Sequence, residues 1–571
     1  MSKLKIKNKK KVIDKPQKRN GLFIAILVLS VFIVYFSALK NGLLNWDDNL
    51  YITENNQITS PGNIPLFFSQ YYIGNYQPLI LFVYSIIYQF SGLEPFLYHF
   101  VNVLFHVLNS LVIYYFVKSL IKKNNFAFLV ALLFALHPMH VESVAWVSGL
   151  KDVMYTFFFF VSLIYYLKFI RQNKKSYYLL SVFLFLLSLL SKGQAVALFP
   201  VLFLIDYIER GTVFLKWKEK IPFFILSVVF GIIALLAQKS ADTMGDLSSI
   251  SFFGQLALAC YSFTMYVLKI LVPFNLSSFY PYPAMTEGGL PSEYWLFLLV
   301  IPLVFYLLFN FFKENKLLFF GALFFIVNVI LLIQLIPVGN CIMADRYTYI
   351  SSVGLNIVIV SLFLKYYKTK KLKFLLTILL SGYFIFLSAT TYHQTKKWKN
   401  DFILWDNVLS VDPDIEFALV LRGCEYNGRG EFDKAMVDFN KSIILNPKDG
   451  SAYFNRGVAK SKTGNFKNAI PDFEKADEFK IEKKHLVNLY ISWGGALANT
   501  GKLSEAMKLF DKAIEINPDD ASAYNNRGIT KAMLGDTKGA IEDFDQAIKL
   551  NPDFTDAINN KNKALEVISK K

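Results

Sequence analysis

Residues 21–38 have the sequence GLFIAILVLSVFIVYFSA, an unbroken apolar run preceded by a tail, 1–20, that contains nine Lys or Arg. About 20 apolar residues are enough to cross the hydrocarbon core of a bilayer as a helix. No convincing small-residue cleavage site follows the run, so it is predicted to remain in the protein as a signal anchor. The opening of the chain therefore predicts a membrane protein with a basic cytoplasmic tail.

The overall composition supports the same class. Hydrophobic residues make up 54% of the chain and aromatic residues 17%, more than a soluble domain of this length tolerates. Near residue 400 the composition changes from Phe, Leu, Ile and Tyr to charged and polar residues in helical patterns. We therefore predict an all-α protein with a multi-span membrane domain at 21–392 and a polar domain at 393–571.

Hydrophobicity predicts about eleven spans, with 79–91 and 251–271 lying along the interface or re-entering. The spans fall near 21–40, 95–119, 125–137, 151–170, 177–191, 194–208, 221–238, 293–312, 317–337, 347–365 and 373–392. Lys and Arg in short loops mark the cytoplasmic side, and the basic loops share one side only if 251–271 does not cross. In that case the N-terminus is cytoplasmic and the polar domain external; if 251–271 crosses, the loops at 313–316 and 365–373 face outward.

The polar domain shows self-similarity with a period of 34, the mark of tetratricopeptide (TPR) repeats. Repeats are predicted at 416–449, 450–483, 487–520 and 521–554, with a degenerate half-repeat before 416 and a capping helix at 555–569. Each repeat has a Gly in its first helix and an Ala and a Phe in its second, as in Gly423, Ala435 and Phe439. Stacked repeats of this kind form an α-solenoid with a concave face.

The concave face of the repeats is predicted to hold a polypeptide, the alternative being a spacer or a dimerisation module. Asn and Arg side chains on the first helices could bind backbone carbonyls. The residues proposed for this face are Tyr453, Asn455, Arg456, Tyr524 and Asn526.

Two adjacent carboxylates follow the first span, in Asn45-Trp46-Asp47-Asp48-Asn49. A charged side chain is costly at the centre of a bilayer, so the interface is the place where a membrane protein can keep an acidic pair for chemistry. The structural alternative is that the pair caps an interfacial helix, because Asp is a favoured N-cap residue. Asp47 is predicted to be a general base, with Asp48 as the second choice.

Further polar side chains gather in the loops predicted to be external. They are Tyr76 and Gln77, His99, the stretch from His137 and His140 through Glu142 to Lys151, Lys192 in a tight turn, and Arg346 and Tyr347. Basic residues are scarce on this side, so Lys192 and Arg346 are exceptions and are candidates for a functional role. The structural alternatives are that Lys192 snorkels to the interface and that Arg346 forms a local ion pair with Asp345. Zinc needs three or four ligands, and no third ligand accompanies His137 and His140, so no metal site is predicted.

Glycosyl transfer from a lipid-phosphate-linked sugar uses this set of residues. A carboxylate would deprotonate the acceptor hydroxyl, and cations would neutralise the departing phosphate, for which Arg is bidentate and Lys a point charge. Lys192 and Arg346 are therefore predicted to bind the donor phosphate. His137, His140, Glu142, Lys151, Tyr76, Gln77, His99 and Tyr347 are predicted as possible donor or acceptor contacts.

These motifs, in this order, resemble the transmembrane and TPR repeat-containing (TMTC) proteins, which are GT-C-fold protein O-mannosyltransferases that use dolichyl-phosphate-mannose. The motifs are Trp46-Asp47-Asp48, Tyr76-Gln77-Pro78-Leu79, Tyr98-His99 with Asn102, His137-Pro138 with Glu142 to Gly149, Ser191-Lys192 and Asp345-Arg346-Tyr347. The resemblance implies that the acidic pair is catalytic, that the reaction inverts the sugar carbon, and that no cofactor is required beyond the lipid-linked donor. Whether a divalent metal assists is left open.

The sequence departs from the family pattern at four positions. Gln77 and Leu150 stand where the family has Arg, Gly193 where it has an acidic residue, and Ser351 where it has Pro. The Lys- and Asn-rich composition is typical of a bacterial protein, which would place it in the inner membrane with the repeats in the periplasm and a polyprenyl phosphate as carrier.

Two other classes of function compete with this prediction. A non-catalytic scaffold or assembly factor would use the membrane domain as an anchor and the repeats as its working surface. A lipid-glycan transporter would need ionisable residues deep within the spans, which are largely free of charge. Nucleic-acid binding has no support beyond the basic tail, which the positive-inside rule already explains.

Overall fold

A computed structural model describes residues 16–212, 216–240, 250–285, 289–313, 315–335, 341–367, 369–481 and 483–570. Part of the predicted basic tail, 1–15, lies outside these residues. So do 241–249, 286–288 and 337–340 of the predicted external loops, together with 213–215 and 368 of the predicted basic loops.

The chain divides into two compact units, Met1–Leu404 and Trp405–Lys571. The division lies beyond residue 392 because the segment after the last long helix bonds back to the first unit. Gly42 N donates to Lys399 O at 3.0 Å, and Asn45 N donates to an Asp401 carboxylate oxygen at 2.6 Å.

The first unit is built from helices joined by short turns. Its α-helices are α1 (Pro16–Tyr35), α2 (Ile64–Ser69), α3 (Pro78–Ser91), α4 (Pro95–Ile121), α5 (Asn124–Leu136), α6 (Val141–Ala145), α7 (Leu150–Gln172), α8 (Lys175–Ser191), α9 (Leu198–Arg210), α10 (Ile221–Ser240), α11 (Phe252–Leu271), α12 (Ser292–Trp295), α13 (Val300–Tyr306), α14 (Lys316–Val329), α15 (Ser352–Tyr367) and α16 (Lys370–Lys396). Two short strands, β1 (Tyr280–Pro281) and β2 (Cys341–Met343), pair antiparallel. α7 and α9 end on the left-handed residues Asn173 and Gly211, a common way to stop a helix.

Within the described ranges, seven helical segments are long and apolar enough to cross a membrane. They are Asn20–Lys40, Pro95–Ile121, Val147–Gln172, Trp217–Ser240, Phe252–Leu271, Ser292–Asn310 and Leu372–Lys396. A bent pair, Asn124–Leu136 with Pro138–Ala145, passes the same test together, and shorter apolar helices occur at Pro78–Ser91, Lys175–Ser191, Lys316–Leu332 and Ser352–Tyr367. The structure is thus the predicted all-α membrane fold, while the eleven-span topology stays a prediction.

Polar contacts join the helix ends at one side of the unit, which we call the basic layer. Asn20 Oδ1 accepts from Tyr114 OH at 3.1 Å and from the Asn124 amide at 3.0 Å. Arg171 binds both carboxylate oxygens of Glu209. These contacts bring together the start of α1, the α4–α5 turn and the ends of α7 and α9.

The opposite helix ends meet in a second layer, which we call the site layer. Here the segment after α1 contacts the α6–α7 turn through Asp48 and Ser148, and the turn before α15 contacts α6 through Arg346 and Glu142. The end of α10 reaches the same layer, because the Gln238 amide donates to Gly74 O at 2.8 Å.

Helix α11 lies along the site layer over much of its length. Ser262 Oγ donates to Ile342 O at 3.1 Å, and Tyr266 OH accepts from Ala344 N at 3.1 Å. Near its end, Ile270 O accepts from His137 Nε2 at 2.9 Å. These contacts join α11 to the site layer; the helix is long and apolar enough to span, and the interfacial position of 251–271 stays a prediction.

The second unit is a stack of helix pairs. After α17 (Asp401–Val411) come α18 (Glu416–Gly428) with α19 (Phe432–Leu445), α20 (Gly450–Lys462) with α21 (Phe466–Glu478), α22 (Leu486–Asn499) with α23 (Leu503–Ile516), α24 (Ala521–Met533) with α25 (Thr537–Leu550), and the last helix α26 (Thr555–Ser569). The four helix pairs thus occupy residues 416–445, 450–478, 486–516 and 521–550.

The repeating Gly and Phe pack against each other within each pair. A Cβ added to Gly423 would lie 2.5 Å from the Phe439 ring, and one added to Gly528 would lie 2.8 Å from the Phe544 ring. Such distances are shorter than real carbon contacts, so any larger residue would push the two helices apart. The 16-residue Gly–Phe spacing therefore sets how closely the two helices approach.

Candidate active site

The two adjacent carboxylates occupy different environments. Asp48 is fully buried, and it accepts from Leu44 N at 3.0 Å, from Ser148 N at 2.9 Å and from Ser148 Oγ at 2.5 Å. Burial raises the pKa of Asp48 to about 7, despite these hydrogen bonds, which lower it. Through these hydrogen bonds Asp48 joins the segment after α1 to the turn before α7.

That turn depends on a glycine. A Cβ on Gly149 would lie 2.5 Å from Ser143 O and 3.0 Å from Glu142 O, so only glycine allows this close approach. The tight turn places the Ser148 backbone N–H and hydroxyl opposite Asp48. A residue 100 positions away in the sequence therefore completes the environment of Asp48.

Asp47 faces outward beside a cation. Its side chain is 30% exposed, and Oδ2 lies 3.1 Å from Lys151 Nζ. The Lys151 ammonium also lies 5.4 Å from the centre of the Tyr51 ring and 5.2 Å from the Trp146 ring. Asp47 is thus the member of the pair that a substrate could reach.

Two further cations lie in the same layer, each paired with a carboxylate. Arg346 binds Glu142 through both its guanidinium and its backbone N–H. Lys192 Nζ lies 2.5 Å from Asp152 Oδ1, with both side chains buried. Burial lowers the pKa of Lys192, although the charge of Asp152 opposes that shift.

Aromatic rings link these pairs into one group. The Arg346 guanidinium lies 5.5 Å from the Trp146 ring centre and 5.0 Å from the Tyr347 ring centre, and Lys192 lies 6.0 Å from the Tyr347 ring centre. We call the three ion pairs with these two rings the charged cluster; its members are Asp47, Lys151, Glu142, Arg346, Asp152, Lys192, Trp146 and Tyr347. The cluster therefore brings three carboxylates and three cations together in the site layer.

The predicted histidines His99, His137 and His140 form hydrogen bonds within the protein. His137 donates to Ile270 O and accepts from Met139 N, while His140 donates to Phe134 O at 2.7 Å and lies 3.1 Å from Ser352 Oγ. His99 is buried and contacts Gly42 O. Among the residues that the structure describes, none of these rings hydrogen-bonds to a member of the charged cluster.

Tyr76 and Gln77 lie in the loop that precedes α3. Tyr76 OH donates to Phe68 O at 2.9 Å, and the Gln77 amide donates to Asn75 Oδ1 at 3.4 Å. Gln77 is buried, and its carbonyl oxygen has no hydrogen-bond partner in the described part of the chain. Within the described ranges, neither side chain hydrogen-bonds to the charged cluster.

Three residues of the site were not predicted as site residues. Ser148, Trp146 and Asp152 all lie in or just after a motif noted in the sequence, but their partners are far away in the chain. The one available signal was Asp152 itself, an acidic residue in the first turn of a helix that is otherwise apolar.

The departures from the family pattern have structural counterparts. Leu150 is fully buried, and the next residue, Lys151, supplies the cation near Asp47. A Cβ on Gly193 would lie 3.2 Å from Ala234 Cβ, so a side chain there would press on α10. Ser351 is buried and donates to Thr348 O.

The described residues contain no group of three or more His, Cys, Asp or Glu side chains that could hold a metal ion.

Some of the predicted peptide-binding residues of the repeats form hydrogen bonds within the repeat unit. Arg456 binds both oxygens of Asp472, at 2.6 and 3.0 Å, and donates to Asn440 Oδ1 at 2.8 Å. The Asn455 amide donates to Ser451 O, and Tyr453 is buried. Tyr524 and Asn526 remain partly exposed.

The same Arg–Asp bond recurs at a 16-residue spacing, and we call the series the ladder. Its members are Arg422 with Asp438 and Asp406, Arg456 with Asp472 and Asn440, and Arg527 with Asp543 and Asp511. In the third repeat Trp493 and Leu509 occupy the Arg and Asp positions. The ladder joins the first, second and fourth repeats each to the second helix that precedes it.

Comparisons with known proteins cover both units. Residues 76–237 match the family model described as dolichyl-phosphate-mannose-protein mannosyltransferase, and 450–480, 494–535 and 521–554 match models of the tetratricopeptide repeat. The chain is 24% identical to human protein O-mannosyl-transferase TMTC3, over 88% of this chain and 61% of that protein. It is also 24% identical to the Caenorhabditis elegans protein O-mannosyl-transferase F38B6.6, over 69% of this chain and 58% of that protein.

Among solved structures, YrrB, described as a TPR protein with an unusual peptide-binding site, is 24% identical and covers 35% of this chain and 97% of its own, with a TM-score of 0.26. The matches to family models and curated proteins confirm the resemblance to TMTC-type proteins and the repeat fold of the second unit. The chain spans about three fifths of the length of the curated relatives it matches.

Proposed function

We propose that the protein is a membrane glycosyltransferase that moves mannose from a polyprenyl-phosphate donor to a Ser or Thr hydroxyl of an acceptor protein. The observation that carries the proposal is a partly exposed carboxylate, Asp47, in one layer with three cations, Lys151, Lys192 and Arg346. The similarity to protein O-mannosyl-transferases supports the choice of sugar and acceptor.

Asp47 is the proposed general base. It would take the proton of the acceptor hydroxyl as that oxygen forms a bond to carbon 1 of the sugar. The bond from carbon 1 to the phosphate oxygen breaks at the same time, and the electron pair leaves with the polyprenyl phosphate. A single displacement of this kind inverts the configuration at carbon 1.

Asp48 is proposed to position Asp47 rather than to take the proton. A pKa near 7 suits a general base, but geometry decides first. Both Asp48 oxygens accept protein hydrogen bonds and the side chain is fully buried. Because both oxygens are already used, Asp48 could bind an acceptor hydroxyl only by giving up its hydrogen bonds to Leu44 or Ser148.

Lys192 and Arg346 are the proposed contacts for the donor phosphate, and Lys151 is a third cation within the same cluster. Each is already paired with a carboxylate, which holds the positive charges in place before the donor arrives. Preorganised charges of this kind stabilise a leaving group without further rearrangement. We propose no metal for this step, because cations of the chain supply the charge.

The layers suggest how the protein lies in the membrane. The basic layer would be cytoplasmic by the positive-inside rule, which places the site layer, and the repeats that follow α16, on the external or periplasmic face. There the isoprenoid tail of the donor can stay in the bilayer while the repeats hold the acceptor polypeptide. In a bacterium this membrane would be the inner one.

The test is transfer by the purified full-length protein in detergent. Polyprenyl-phosphate-mannose labelled in the sugar is mixed with a Ser/Thr-rich peptide, and peptide-bound label and released polyprenyl phosphate are both measured. We expect the two products in equal amounts.

No transfer from mannose, glucose or galactose donors, with the peptide or a periplasmic extract as acceptor, would contradict the proposal. That result would favour the scaffold function, in which only the repeat unit carries activity.

A further inference from the structure

Asp152 has a buried carboxylate oxygen that the ion pairs of the site leave unused. It lies in the first turn of α7 and is 1% exposed. Oδ1 lies 2.5 Å from Lys192 Nζ, whereas Oδ2 has no hydrogen-bond partner among the residues that the structure describes. A buried acceptor without a partner is unfavourable, and such atoms usually bind a water molecule or a ligand, so Oδ2 is available to a partner from outside the chain.

A second polar atom of the charged cluster is also buried without a hydrogen-bond partner among the described residues. The indole nitrogen of Trp146 is buried and unpartnered within the described part of the chain, and its ring lies beside both Lys151 and Arg346. The cluster thus offers one free acceptor and one free donor next to an aromatic face. Neutral molecules rich in hydroxyl groups can satisfy both, because a hydroxyl donates and accepts.

We propose that Asp152 binds a hydroxyl group of the donor hexose and so determines which sugar is accepted. This rests on the proposed function, in which Lys192 holds the donor phosphate. The hexose is bonded directly to that phosphate, so a carboxylate held by the same ammonium lies beside the sugar ring. The hydroxyl would donate to Oδ2 while Oδ1 keeps its bond to Lys192.

The alternative is that Asp152 serves only as the counter-ion of Lys192. The two roles predict different responses to a change of donor. A counter-ion acts on the phosphate and affects every sugar alike, whereas a hydroxyl contact is lost when that one hydroxyl is missing.

The experiment measures kcat/KM with polyprenyl-phosphate-mannose and with its 2-, 3-, 4- and 6-deoxy analogues. In the wild type we expect one deoxy donor to be poorer by about 10- to 100-fold, the effect of losing a hydrogen bond to a charged group. In Asp152→Asn the ratio of kcat/KM for mannose to kcat/KM for that deoxy donor is expected to fall to within about threefold of one. The substitution and the missing hydroxyl remove the same contact, so their effects are not additive.

Asp206→Asn is the matched control. Asp206 is also fully buried and paired with Lys220 and Arg210, but in the basic layer. The Asp206→Asn variant should lose a similar ion pair but keep the wild-type ratio of kcat/KM between mannose and the deoxy donor. Asp152→Glu keeps the charge opposite Lys192 and moves the carboxylate, so its ratio is also expected to fall, and it serves if Asp152→Asn does not fold.

Equal losses for all five donors in Asp152→Asn, or an unchanged ratio in a folded Asp152→Glu, would overturn the assignment and leave the glycosyltransferase proposal intact. Absence of any transfer by the wild type would overturn the proposed function and this assignment together.

Discussion

The two units use the same kind of bond, a cation paired with a carboxylate, in different ways. In the repeat unit the ladder repeats one Arg–Asp geometry at a 16-residue spacing, and each Arg binds two partners at the side of the stack. In the membrane unit the charged cluster is irregular and more deeply buried, and Asp152 and Trp146 have polar atoms that the described residues leave unpartnered. The regular ladder is what a structural role requires, whereas buried charges with unpartnered atoms mark the cluster as a candidate functional site.

The largest expected effect separates the two kinds of Arg. Arg346→Met should lower kcat/KM for mannose transfer by about 10²- to 10³-fold, as the loss of one charge-stabilising donor does. Arg422→Met removes a ladder residue instead and should leave transfer to a short peptide unchanged. Equal losses of transfer in the two variants would show that the cluster and the ladder do not differ in function.

A second prediction concerns the pH dependence of stability. Burial raises the pKa of both Asp48 and Asp345 to about 7 in the folded protein, so the folded state keeps protons that the unfolded state releases. The free energy of unfolding should therefore fall as pH rises from about 4 to 7, by at most about 1.4 kcal/mol per pH unit for each group. In thermal melts of the detergent-solubilised protein, Asp48→Asn should remove part of this slope.

The control for that prediction comes from the repeat unit. Asp438→Asn alters a ladder carboxylate and should leave the slope between pH 4 and 7 unchanged. A slope that survives in Asp48→Asn at its wild-type value would contradict the assignment.

A smaller effect is expected when the ladder is broken. Arg527→Ala leaves Asp543 buried with Lys531 as its remaining ion-pair partner, which should cost about 1–3 kcal/mol of unfolding free energy. The measurement is urea unfolding followed by circular dichroism, beside transfer to a short peptide, which should not change. Lys434→Ala, on an exposed pair, should leave the unfolding free energy nearly unchanged, because solvent screens such a pair.

The smallest effect tests the gap in the ladder. Trp493→Arg with Leu509→Asp should restore the missing pair, because Glu474 directly follows Phe473 in the preceding helix, as Asp511, a partner of Arg527, directly follows Phe510. We expect the two substitutions to couple favourably by about 1 kcal/mol in a double-mutant cycle of unfolding free energies. Strictly additive single effects would show that the third repeat does not share the ladder geometry.

Much of the fold could be predicted because it leaves local patterns in the sequence. The apolar run after the basic tail, the 34-residue period and the Gly–Phe spacing all repeat over short distances. The acidic pair could also be found, since no other carboxylates follow the first span so closely.

The division of roles within the pair could not be predicted, because it depends on distant residues. Asp48 is buried by a turn 100 residues later, and Lys151 approaches Asp47 from the start of α7. His137 and His140 were predicted as possible donor or acceptor contacts because they lie where a span meets a predicted external loop, yet the structure uses their nitrogens to bind backbone and hydroxyl groups. Pairings of this kind follow from tertiary packing, which spacing in the sequence does not encode.

The most direct test of the account compares Asp47→Asn with Asp48→Asn in mannose transfer at equal folded yield. The account predicts that Asp47→Asn loses about 10²- to 10⁴-fold in kcat, as expected for a general base, with an unchanged melting temperature. Asp48→Asn should lose less than about tenfold, because it alters only the position of Asp47. Transfer that survives in Asp47→Asn, or a larger loss in Asp48→Asn, would contradict it.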